Sequence, residues 1–259
     1  MKAIELINEI NEGGFAPEIT CDTIKSGNPE KELSRVGVCM FATVEVVKRA
    51  KEMGLDMLIV HEPTYYDHMD VKENNAVTKA KEKLINESGI VIYRYHDHMH
   101  HRKKDQITEG EIHYLGLDGT LEMTQYSASY VLKLNEPITA LELAQRMEKE
   151  LNIKHVRIAG ARDRRATRIA ACFGTPGGVY ELLTGDDVEI VLTGEACEWK
   201  LSEYARDANA LGMNKSLIVM GHIPSERDGM RLLAERLKKK HPELDIQYIE
   251  SGEVYTYTD

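Results

Sequence analysis

Met57-Leu58-Ile59-Val60-His61-Glu62-Pro63 is an apolar run that stops abruptly on an imidazole, a carboxylate and a proline. A short run bounded by such a breaker reads as a buried strand, and Pro63 ends it because proline has no backbone donor for a sheet ladder. The same event recurs twice. Ile90 to Ile92 leads into His96-Asp97-His98-Met99-His100-His101, and Leu217 to Met220 leads to His222 and, four residues on, Glu226. In open α/β sheets ligands collect beyond the carboxyl ends of the strands, so three distant stretches can converge at one sheet edge as a metal site.

Outward from these runs, helix and strand alternate, which predicts layered α/β sheets. Ala3 to Ile10 reads as an amphipathic helix, and Val36 to Phe41 as a strand. Thr43 then caps a helix running to Gly54. Asn74 to Ser88 and Gln106 to Leu115 are further helices. From Leu121 the pattern restarts with a strand at Tyr126 to Leu134. Thr139-Ala140-Leu141-Glu142 has capping-box spacing and opens a helix to Leu151. Strands are expected at His155 to Ala159, Arg168 to Cys172, Val188 to Leu192 and Ser216 to Met220, with a helix at Trp199 to Leu211. Ser225, with Asp228 three residues on, is expected to cap a helix through Leu237, before a last strand at Asp245 to Ile249. Two α/β halves in succession fit a two-domain chain. The expected division is 1–120 with 221–259 as one domain and 121–220 as the other, so that ligands come from both sides of the boundary.

The donor types narrow the chemistry. Imidazole and carboxylate suit zinc, iron or manganese, and the absence of cysteine among them argues against soft-metal and iron–sulfur centres. Five or six candidates exceed the four ligands of a closed tetrahedral zinc. Two divalent ions account for the excess, and paired ions with open positions commonly perform hydrolysis. His61 and Glu62 stand at a strand end, where a turn can bring both toward one crevice. Glu226 alone would be an ordinary first-turn acid favoured by the helix dipole; its pairing with strand-end His222 makes it a ligand candidate. The stretch His96 to His101 is overfull, so some members must orient others through their second nitrogen. If it is extended, alternation puts His96, His98 and His100 on one face and Asp97 opposite; spacing does not decide which touch metal. His68, His113, His155 and His241 stand alone and read as surface or satisfied residues. The loop Gly174-Thr175-Pro176-Gly177-Gly178 matches neither phosphate-binding fingerprint and reads as a tight turn.

Composition bounds the alternatives. The chain has 259 residues, 42% hydrophobic and 29% charged, which is globular composition. Its net charge of −10 disfavours a dedicated nucleic-acid binder, since phosphate neutralisation needs clustered cations. No apolar run approaches the ~20 residues of a membrane helix, and the start lacks the apolar centre of a signal peptide, so a cytoplasmic protein is expected. Cys21, Cys39, Cys172 and Cys197 form no CxxC pair and read as reduced thiols.

These motifs, taken together, resemble the NIF-three-like family of dinuclear-metal proteins, often labelled GTP cyclohydrolase I type 2-like. The resemblance runs from about Val36 to Tyr257 and rests on His61-Glu62-Pro63, His96 to His100, Thr193-Gly194-Glu195, and Gly221-His222 through Glu226. It implies metal ligands at His61, His222 and Glu226. The family's second histidine falls on Glu62 and its aspartate on His100, and Asp97 can take the carboxylate role instead. Trp199 replaces a histidine that often follows the TGE motif. The family implies two similar three-layer α/β domains with the metal site in the cleft between them, assembled as a ring-shaped homohexamer.

Two functional expectations follow. The first is a metal-dependent hydrolase acting on a small molecule such as a nucleotide or purine-type ring, with His61, Glu62, Asp97, His100, His222 and Glu226 around two divalent ions and His98 or Glu195 moving protons. The second is a non-catalytic scaffold or regulatory protein in which the metals fasten the domains together. They differ in that catalysis needs exchangeable water positions, whereas a structural site is closed.

Overall fold

The computed structural model describes residues 1–258. The chain is mixed α/β with two sheets, and it divides into two compact units, 1–106 with 229–259 and 107–228.

Unit 1 carries a five-stranded sheet in the order β1-β4-β3-β2-β11, formed by β1 (Ile24–Ser26), β2 (Arg35–Cys39), β3 (Met57–Val60), β4 (Val91–Arg94) and β11 (Asp245–Tyr248). All neighbouring pairs are parallel except β1 with β4. Every residue of β3 and β4 is buried, as expected of parallel strands covered on both faces, which is why they read as unbroken apolar runs. Helices α1 (Ala3–Asn11), α2 (Val44–Glu52) and α3 (Ala76–Ser88) belong to this unit. Thr43 caps α2 by accepting from the Val46 N–H, and Asn75 caps α3 by accepting from the Thr78 N–H. Gly89 ends α3 in the left-handed conformation at φ 68°. Val46, Val47, Ala50 and Ile85 of these helices pack on Leu58, Val60 and Ile92 of the sheet.

Register places the histidines. Val60 pairs with Arg94 across parallel β3 and β4, so both strands finish at the same sheet edge and deliver His61 and His96 there. The stretch after β4 departs from expectation. It is a single helical turn, α4 (Asp97–His100), rather than an extended segment. Helical spacing brings His96 and His100 onto one face and turns His98 away.

Unit 2 carries a six-stranded sheet, β5-β6-β8-β9-β10-β7. Its strands are β5 (Gly119–Met123), β6 (Tyr130–Thr139), β7 (Arg157–Gly160), β8 (Arg165–Cys172), β9 (Ile190–Thr193) and β10 (Ser216–Val219). The central three are parallel, and Thr193 pairs with both Cys172 and Val219, so the loops after β8, β9 and β10 leave from one edge. Helix α5 (Gln106–Leu115) leads into the unit. The Thr139–Glu142 capping box opens α6 (Ala140–Glu150) as its spacing predicts. Strand β6 begins four residues later than expected, because Tyr126 to Ser129 form a turn held by Thr124 Oγ1, with Ala128 at φ 51°. After α7 (Val179–Thr184), the helix expected from Trp199 is a π-helical turn, Glu198–Ser202, followed by α8 (Glu203–Ala210). Helix α9 (His222–Lys240) begins three residues before Ser225. Ser225 is not its cap: its hydroxyl donates to the His222 carbonyl and accepts from the Gly174 N–H.

Among the described residues, no helix is long and apolar enough to cross a membrane. Cys21, Cys39 and Cys172 are buried, and Cys197 is exposed.

Candidate metal centre

In unit 1, His61, His96 and His100 form a cluster whose ligand atoms lie within 4.8 Å of one another. Their ring centroids are separated by 4.7 Å (His61 to His96), 5.0 Å (His61 to His100) and 4.7 Å (His96 to His100). Each ring is oriented by an oxygen at Nδ1. His61 Nδ1 donates to the Tyr95 carbonyl at 3.1 Å, His96 Nδ1 meets Asp97 Oδ1 at 3.0 Å, and His100 Nδ1 meets Asp105 Oδ2 at 2.8 Å. An acceptor at Nδ1 assigns the proton there and the lone pair to Nε2, the arrangement that supports metal-ligating histidine. Burial, and then the neighbouring His96 and His100, push the His61 pKa well below its usual value. Burial likewise lowers His96. Neutral imidazole is the form that binds metal.

Asp97, expected as a ligand, and His98, expected to move protons, are both hydrogen-bonded within the protein. Burial works to raise the Asp97 carboxyl, but hydrogen bonds from His96, Thr20 and the Cys21 N–H outweigh it and hold the group well below the usual carboxylate range. Asp22 accepts from the backbone N–H groups of His96 and Asp97 through Oδ1, and from the N–H and Nδ1 of His98 through Oδ2. One buried carboxylate thus caps the helical turn and anchors His98. Glu62 is buried, with Oε2 at 3.5 Å from Arg94. Arg94 is itself fully buried, and its Nε donates to the His61 carbonyl, so it braces the His61–Glu62 corner.

His68, which reads as isolated in the sequence, lies edge-on to His96 at 5.5 Å. It forms a second candidate group with Cys21 and Asp97. Burial pushes the Cys21 thiol up to about 12.

In unit 2, the loop after β9 and the first turns of α9 bring together Glu195, His222 and Glu226. His222 Nδ1 meets Glu195 Oε1 at 2.7 Å and its Nε2 meets Glu226 Oε2 at 3.2 Å. Two ligands on one tetrahedral ion with bonds of 2.0–2.1 Å stand about 3.3 Å apart, so the spacing at Nε2 suits a shared cation. Gly174 makes the site possible. It sits at φ +65°, and a Cβ there would lie 2.3 Å from Glu226 Oε1. Its carbonyl also accepts from the N–H groups of Gly194 and Glu195, and its own N–H donates to Ser225. The glycine-containing loop is therefore a brace for the acid at Glu226.

The donors are nitrogen and oxygen throughout, with each imidazole tautomer set by a carbonyl or carboxylate, so the residues present fit a divalent zinc, iron or manganese ion. Of the residues read from the sequence, His61 and His100 come together in unit 1, and His222, Glu226 and Glu195 in unit 2. Sequence spacing did not single out His96, Asp105 or Asp22. Asp105 lies five residues beyond His100 and Asp22 lies 74 before His96, and only folding brings them to the rings.

The family description Duf34/NIF3 (NGG1p interacting factor 3) matches residues 3–253. A Clostridium perfringens protein named GTP cyclohydrolase 1 type 2 homolog is 22% identical over 233 residues, covering 88% of this chain and 86% of its own. Among solved structures, protein ybgI, described as of unknown function, superposes with a TM-score of 0.80 at 21% identity over 98% of this chain and 100% of that one. A Bacillus cereus protein related to NIF3 superposes with a TM-score of 0.75 at 13% identity, over 100% of this chain and 99% of that one. At such identities the superpositions speak for the fold.

Proposed function

We propose that this chain, which belongs to the Duf34/NIF3 family, is a metal-dependent hydrolase acting on a small molecule of nucleotide or purine type. The observation that carries the reading is the Nδ1 pattern: His61, His96, His100 and His222 each have that nitrogen on an oxygen, which presents Nε2 as a ligand. The imidazoles of unit 1 with Glu62, and the His222–Glu226 pair of unit 2, supply donors for two divalent ions. Such ions, when bound, provide Lewis acidity and make water a nucleophile near neutral pH.

The chain's own residues do the rest. Asp97 acts through His96, and Asp105 through His100, by fixing ring orientation and raising ligand basicity. Glu195 is exposed at a strand end beside His222, where a carboxylate can carry a proton to or from substrate. His98 is anchored to Asp22, so we give the proton-transfer role to Glu195 rather than to His98.

The test is elemental analysis of the purified protein with His61→Ala and His222→Ala, followed by a hydrolysis screen on nucleotides including GTP. Near two equivalents of metal per chain, lost in both variants, is expected. Turnover should vanish on chelation and return on adding back metal. Full metal content in either variant, or turnover indifferent to chelation, would refute the reading.

A further inference from the structure

A cavity of about 410 Å³ in unit 2 is lined by residues 175–176, 178–181, 195–197 and 200–201. Its apolar wall is formed by Pro176, Val179, Tyr180 and Leu201. Its polar groups include two carboxylates, Glu181 and Glu195, against one ammonium, Lys200. Glu195 ties the cavity to His222, which its Oε1 holds at 2.7 Å.

Two details indicate what fits. Lys200 Nζ, an exposed ammonium, lies 4.2 Å from the Tyr180 ring centroid, while the Tyr204 ring stands T-shaped to Tyr180 at 5.8 Å. A flat ring can replace the ammonium there. The π-helical turn Glu198–Ser202 presents Lys200 and Leu201 to the cavity while leaving Trp199 78% exposed, and π-helical segments occur frequently at functional sites. An excess of carboxylates disfavours a phosphate group and favours N–H donors, whose hydrogen bonds to ionised acceptors are the stronger kind.

We infer that this cavity is the subsite for a planar nitrogen heterocycle with N–H donors, the chemistry of an aminopurine base, seated on Tyr180 and hydrogen-bonded to Glu181 or Glu195. Identifying the occupant as substrate rests on the hydrolase reading; occupancy itself is read without turnover.

The test uses the metal-loaded full chain. Trp199 is its single tryptophan, and Cys197 lines the cavity while the other three cysteines are buried. Titration with guanosine should change Trp199 fluorescence saturably and slow iodoacetamide alkylation of Cys197. Glu181→Gln and Tyr180→Ala should weaken guanosine binding by ~10-fold or more, and Tyr180→Phe should retain it, with metal content unchanged in all three. No saturable response at millimolar guanosine, parental affinity in both weakening variants, or the same response to inorganic phosphate alone would overturn the inference. Guanosine binding without hydrolysis of any nucleotide would leave the subsite standing and remove the hydrolase reading; hydrolysis without guanosine binding would do the reverse.

Discussion

Asp105 accepts from His100 Nδ1 at 2.8 Å. Replacing it with asparagine keeps the shape and removes the charge that makes the imidazole a better donor. Asp105→Asn should weaken metal binding by ~10–100-fold, measured by competition with a chromogenic chelator, while the fold survives. Lys81 makes a different point. It is buried on α3, and its ammonium donates to the Thr64 carbonyl at 2.6 Å, just beyond the His61–Glu62–Pro63 corner. Burial lowers its pKa to about 8 from an ordinary 10.5. The unfolded chain therefore binds more protons between those values, and the parent gains stability as pH rises through 8 toward 10.5. Lys81→Met lacks that gain. Its stability relative to the parent should fall by about 1–2 kcal/mol between pH 7 and pH 9.5, read from urea midpoints; a difference that does not change with pH would show that Lys81 titrates normally.

At the scale of elements, the loops after parallel strands carry the candidate chemistry. Gly174 follows β8, and its missing Cβ leaves room for Glu226 at the start of α9. Gly174→Ala should displace that carboxylate and lower metal content although no donor atom has been changed, which elemental analysis would detect; unaltered metal would remove Glu226 from the ligands. The apolar strands and the residues that end them were legible in sequence because burial on both faces leaves a continuous hydrophobic signal. The capping box at Thr139 was legible because it is local. The turn at Asp97–His100 was not, since four residues are too few to show a helical period. That is why alternation groups His98 with His96 and His100, whereas the helical turn keeps His96 and His100 together and turns His98 away. Asp22 shows the other limit. It serves as the cap of that turn from another part of the chain, and nothing local announces it.

For the whole molecule, the family resemblance implies a homohexamer, and we expect light scattering to return six times the 29.3 kDa chain. A monomer mass at micromolar concentration would count against the ring. The division into units has a consequence for dissecting the protein. The chain leaves unit 1 after Gln106, the first residue of α5, and leaves unit 2 after Asp228, inside the first two turns of α9. Both crossings fall inside helices. A fragment cut at 107–228 would end in the second turn of α9 with the carbonyls there stripped of amide partners, and would begin without the Gln106 carbonyl that opens α5, so the halves are poor candidates for separate expression, and domain grafting should preserve both helices intact.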